Sequence, residues 1–132
     1  AGFGYIPVFA TSHIYAATVN SGLDRDLNNV QFCDAPWLFN VAPGPTKYSE
    51  LSRQLTTARG NGARLFALGM DAYALLPYLD WMTQHPDAYL SGATGQLTKD
   101  GQGRIHRLLT WAQFENGVAH PSKGELTIAP DP

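Results

Sequence analysis

Apolar and polar positions along this chain fall into blocks of different period. Tyr5 to Ser12 reads YIPVFATS, where Ile6, Val8, Phe9 and Thr11 make a short apolar run bounded by Gly4 and by Ser12-His13. A run that short between turn residues predicts a buried strand, with Pro7 near its start, where a missing N–H is tolerated. Ile14 to Asn29 is small and polar without a sustained period, which predicts a short helix or turn and then a surface loop. From Val30 onward, Val30, Phe32 and Asp34 share one side and Gln31 and Cys33 the other, until Pro36 interrupts. That alternation predicts a second short strand running into irregular chain up to Leu38.

Next comes VAPGPT, a proline-rich breaker, and then Thr46, whose hydroxyl can cap a helix that has Glu50 in its first turn. The spacing predicts a helix over Lys47 to Ala58, with Leu51, Leu55 and Ala58 on one face and Gly60-Asn61-Gly62 stopping it. Ala63 to Gln84 is apolar on nearly every side, as in a helix enclosed within an α/β fold, and Pro77 must kink or divide it. Leu65, Phe66, Leu68, Leu75 and Leu76 are therefore expected in one buried layer. If so, replacing Leu68 by alanine should cost about 2–5 kcal/mol.

After His85-Pro86, glycine-rich turns precede RIHRLLTWAQF, in which Ile105, Arg107, Leu109 and Trp111 alternate with His106, Leu108 and Ala112. The pattern predicts a β-hairpin ending in one long strand. Beyond it, residues 1–120 are expected to form one α/β portion and 121–132 a loose tail.

Composition narrows the possibilities. The chain has 132 residues, 44% of them apolar, which is enough for one real core. Nine basic against 11 acidic residues give a net charge of −2, so no basic field exists to gather phosphate backbones, and nucleic-acid binding is not expected. The richest apolar stretch carries Arg64, Asp71, Pro77 and Asp80, and no run reaches the roughly 18 residues of a membrane span. Neither an export signal nor a lipidation cysteine stands at the start, so any such signal is expected upstream or removed. Cys33 is the single cysteine; it cannot form an internal disulfide and reads as a small, half-buried hydrophobe.

Chemical motifs are sparse. Asp24-Arg25-Asp26-Leu27-Asn28 begins like a calcium loop, but Asn29 and Ala35 stand where glycine and a bidentate glutamate are required. The GFG, GNG and GQG pairs lack the third glycine of a dinucleotide fingerprint and read as turns. No G-x-S-x-G, S-x-x-K or K-T-G is present, and His13, His85, His106 and His120 show no ligand spacing. Neither a metal nor another cofactor is implied. Thr11, Ser12 and His13 form the first candidate ligand-facing group, because they end an apolar strand, where open α/β sheets gather ligands. The second is Asp71, an acidic residue in an apolar helix, which must either face an opening or be bonded to neighbouring backbone or to Arg64. Tyr73, Tyr78 and Trp81 read as core or interface packing. No acid, base and nucleophile are brought together, and no catalysis is expected.

Four strings carry more than composition: IPVFATSH at 6–13, VQFCDAPWL at 30–38, ARLFALGMDAYALL at 63–76, and SGATGQL followed by RIHRLLTWAQFENG within 91–117. Their order and spacing resemble the end of the LpoA (LppC) family domain. The resemblance implies an α/β chain that is part of a type I periplasmic-binding-protein-like two-lobed fold, with elements in both lobes. It also implies a non-catalytic regulator that docks onto a class A penicillin-binding protein and stimulates its transpeptidase. The full-length parent would be a lipoprotein on the periplasmic face of the outer membrane; Cys33 does not match the lipid-bearing cysteine. An alternative of a different class is a small-ligand receptor, which needs an open cleft with converging polar groups. Because the first half of such a fold is not in this chain, strands such as IPVFATS are expected to leave an open edge, and the chain is expected to self-associate.

Overall fold

In a computed structural model, which describes residues 6–122, the sharpest alternation in the sequence becomes an inner strand. In chain order the elements are β1 (Phe9–Ala10), β2 (Gln31–Asp34), α1 (Tyr48–Gln54), α2 (Asn61–Leu75) and α3 (Leu79–Gln84). Five strands follow: β3 (Leu90–Ser91), β4 (Gln96–Lys99), β5 (Ile105–Leu108), β6 (Thr110–Glu115) and β7 (Val118–Pro121). They form two sheets. The first has the order β1-β2-β6-β7, with β1 parallel to β2 and the other pairs antiparallel; the second is the antiparallel β3-β4-β5.

Phe32 and Asp34 face inward from β2, as the alternation predicts. Phe32 meets Phe114 of β6 with ring centroids 5.1 Å apart, and Tyr15 at 5.4 Å. With Trp37, Ala63 and Ala67 they anchor the larger of two apolar clusters. The smaller cluster, under the second sheet, is Leu75, Met82 and Leu97, with Leu79 and Leu90 against it.

The first strand departs from expectation. Only Phe9–Ala10 pairs, at the sheet edge, and Ile6, Val8 and Phe9 are exposed, so the segment is not buried. Its single strand neighbour is β2, and no other strand among the described residues pairs with its outer side. The helix after VAPGPT starts one residue later than predicted: Lys47 is its N-cap, without a side-chain bond, while the Thr46 carbonyl accepts the Trp37 indole N–H at 2.9 Å. That helix ends at Gln54, and Leu55 is exposed. Gly60-Asn61-Gly62 opens α2 instead of stopping a helix, with Gly60 at φ +57° as the cap.

Pro77 divides the apolar block as predicted, through a short 3₁₀ turn at Leu76–Tyr78. The expected buried layer is corrected. Ala63, Ala67, Asp71 and Leu75, four residues apart, face inward, while Leu65, Leu68 and Leu76 face out and Phe66 is half-buried. Alanines let the helix backbone approach the sheet closely, and a helix that is apolar all round has no pattern that marks its inner face. Leu68, 50% exposed, therefore carries little. Leu68→Ala is expected to lower stability by less than about 1 kcal/mol in urea denaturation.

The stretch predicted as one long strand is two. β5 ends at Leu108 and β6 begins at Thr110, in a different sheet, so Leu109 alone carries the chain across. β6 pairs in turn with β7, a hairpin beyond the predicted strand. It turns on Asn116-Gly117, both at positive φ, the two-residue turn whose twist matches paired strands. Of the predicted tail, residues from 123 onward lie outside the described residues.

The β4–β5 turn is organised by Asp100. Its carboxylate accepts the backbone N–H groups of Gln102 and Arg104 at 2.9 Å, and Arg104 Nε and His106 Nε2 at 2.8 Å. The bond from His106 and then those from Arg104 hold its pKa well below the ordinary carboxylate range. A depressed folded-state pKa means that this carboxylate stabilises the fold above its unfolded value and loses that contribution as pH falls. Stability should thus drop more steeply below about pH 4 than in Asp100→Asn, as urea midpoints measured from pH 7 down to pH 3 would show.

Candidate functional site

β1 runs directly into a 3₁₀ turn, Ser12–Ile14, which places two of the first candidate residues at the end of the parallel strand. The Thr11 hydroxyl lies 3.4 Å from His13 Nδ1. The Ser12 and Tyr15 carbonyls accept Arg64 Nη2 at 3.1 and 2.8 Å. A cavity of about 480 Å³ opens beside them, lined by Ser12, His13, Tyr15, Ala16, Asn61 and Arg64.

The Arg64 charge in that cavity is paired. Arg64 forks onto Asp34, with Nη2 at 2.5 Å from Oδ2 and Nε at 3.1 Å from Oδ1. Asp34 is 3% exposed and also accepts the Ala35 N–H at 2.8 Å. This bidentate pair, closed by two carbonyls, ties β2, α2 and the turn after β1 together and commits the Arg64 guanidinium to the fold. Sequence reasoning missed it, although the signal existed. Asp34 falls on the core side of the β2 alternation, so it requires a cation, and Arg64 is the first charge in the apolar block.

Asp71 is also satisfied internally. Its Oδ1 accepts the Ala93 N–H at 2.6 Å, and Oδ2 accepts the Thr94 N–H at 2.8 Å and the Thr94 hydroxyl at 2.5 Å. The carboxylate is bonded to neighbouring backbone, one of the two bonding modes expected from sequence, and Arg64 is not its partner. Asp71 borders a different cleft of about 460 Å³, with Leu68, Ala72, Leu75, Leu97 and Arg107. The structure therefore does not bring Thr11, Ser12 and His13 into one cavity with Asp71.

Chemically the site offers little reactivity. Burial, then Tyr48 and Asp34 nearby, push the Tyr15 hydroxyl up to about 12. Burial and the adjacent Asp34 also push the Cys33 thiol up, which suppresses the thiolate. Among the described residues no three His, Cys, Asp or Glu side chains are grouped to hold a metal. No helix among them is long and apolar enough to cross a membrane.

Two small sheets, each over its own apolar cluster, are joined by α2 and by the Leu109 link between β5 and β6, which defines a mixed α/β protein. The sequence model of the family described as "LppC putative lipoprotein" matches residues 3–117, and the chain belongs to that family. The penicillin-binding protein activator LpoA of Haemophilus influenzae is 32% identical over 118 residues, covering 88% of this chain and 20% of the relative. The solved C-domain of LpoA (YraM) from Haemophilus influenzae, described as a regulator of PBP1A, superimposes with a TM-score of 0.74 at 30% identity. That match covers 88% of this chain and 36% of the other. A "putative branched-chain amino acid ABC transporter" from Chromobacterium violaceum matches more loosely, with a TM-score of 0.53 at 29% identity over 82% of this chain and 34% of that one. The α/β fold expected from the family resemblance is thus the fold found. The chain spans about a fifth of the length of the curated relative.

Proposed function

We propose that this chain is the C-terminal part of a non-catalytic periplasmic regulator that binds and activates a class A penicillin-binding protein. The observation that carries this reading is the likeness of nearly the whole chain, in sequence and in fold, to a penicillin-binding protein activator. The site's chemistry agrees with it. Arg64, which lines one cleft, is paired with Asp34, and Asp71, which lines the other, is bonded to Ala93 and Thr94; these uses in holding the fold weigh against a small-ligand receptor. Any small ligand would be met by Thr11, Ser12 and His13, the polar loop beside that network. In this reading residues 1–120 belong to the regulator's α/β domain and 121–132 to a tail. The full-length parent is anchored by lipid to the inner face of the outer membrane.

Retention and stimulation of purified class A penicillin-binding proteins by the full-length parent test this, alongside a parent lacking the segment equivalent to 6–122. The parent is expected to retain a synthase and raise its transpeptidase rate, and the shortened form to lose the stimulation. Equal stimulation by both forms, or none by the parent, would sink the assignment. The exposed Ile6 and Val8 just before the edge strand β1, and Phe9 within it, support self-association of the isolated chain. Sedimentation at micromolar concentration should show mass rising with concentration; a strict monomer would contradict it.

A further inference from the structure

Asp71 stands where the two apolar clusters meet. Along α2, Ala63 and Ala67 belong to the first cluster and Leu75 to the second, with Asp71 between them. The tip of the β3–β4 hairpin, residues 92–95, reaches out of the second sheet to this carboxylate. Ala93 packs in the first cluster, donates its N–H to Asp71, and accepts the Trp37 N–H at 3.1 Å. Thr94, 2% exposed, donates both its N–H and its hydroxyl to Asp71.

Two glycines permit this approach. A Cβ on Gly92 would lie 2.6 Å from Asp71 Oδ1, and one on Gly95, at φ +147°, would collide with the Leu108 carbonyl. Leu108 ends β5, and Leu109 alone joins it to β6 of the first sheet. Hairpin tip, carboxylate and the Leu108–Thr110 crossing therefore make one joint between the sheets. Otherwise the second sheet is tied covalently only by Leu109 and by residues 85–89 after α3.

A buried carboxylate with three short, charge-assisted bonds holds its donors firmly, since releasing them strands the charge in apolar surroundings. We propose that Asp71 is the lock of this joint. While its bonds are made, the angle between the sheets is fixed. When they open, the tip withdraws and β3-β4-β5 moves as a body about Leu109. The lock is independent of which partner the protein engages.

Amide hydrogen exchange on the whole chain tests this with three variants. In Asp71→Asn, amides of 90–99 and 105–108 are expected to exchange at least about tenfold faster, while those of 31–34 and 111–115 keep their rates. Thr94→Val removes one bond and leaves the charge, so the same amides should accelerate less. Gly92→Ala leaves the carboxylate intact but forces the tip off it, and should reproduce the Asp71→Asn pattern. If Asp71→Asn fails to fold, the other two variants decide. Both sheets losing protection together, or neither changing, in the variants that fold would overturn the proposal.

Discussion

Phe32→Ala is expected to lower the unfolding free energy by about 3–5 kcal/mol, because the ring is removed from a site too crowded to collapse around the hole. Phe32 has no exposed surface and sits on β2, between β1 and β6. Tyr15, Phe39 and Phe114 surround it with centroid separations of 5.4, 6.1 and 5.1 Å. Those rings come from the turn after β1, from the chain after β2 and from β6, so no single segment can move in to refill the space. Urea denaturation at neutral pH checks this against Leu68→Ala, an equally apolar truncation on the outer face of α2. Comparable losses for the two would mean that the aromatic cluster is not the core of the first sheet.

Arg64→Met is expected to cost about 3 kcal/mol or more, the usual consequence of removing one partner of a buried ion pair. Asp34, at 3% exposure, would be left without its guanidinium, and the Ser12 and Tyr15 carbonyls would lose their donor. Arg64 itself keeps 28% of its side chain exposed, which lets some water replace it and holds the loss toward the lower end. Adding Asp34→Asn to Arg64→Met removes the stranded carboxylate, so the double variant should be more stable than Arg64→Met alone. A double-mutant cycle in chemical denaturation measures that coupling. Strict additivity of the two substitutions would show that the pair does not hold the turn after β1 to the sheet.

Several features were legible before any tertiary contact was known. The inner strand at 31–34 followed from alternation, since a period of two can satisfy only one buried face. The division of the apolar block at Pro77 followed from a missing N–H and a fixed φ. Asp71 was legible as an anomaly, and its bonding to backbone was one of the modes expected. The β6–β7 hairpin is written in Asn116-Gly117, a two-residue turn signal that lies just past the stronger alternation of 105–112.

By itself, then, the sequence determined local matters: where the chain extends, where it coils, where it must turn, and, through four strings in order, which family it resembles. Only the tertiary structure decided which face of α2 is buried, because that helix is apolar all round and the choice fell to the alanines that allow close approach. It also decided that RIHRLLTWAQF is shared between two sheets. Both halves alternate alike, and the break at Leu109 is set by partners distant in sequence: β5 pairs with β4, and β6 with β2. The joining of Asp34 to Arg64 and of Asp71 to residues 93 and 94 belongs to the same level. A charge states that it needs a partner, but which partner it finds depends on how chain segments 22 to 30 residues apart are folded together.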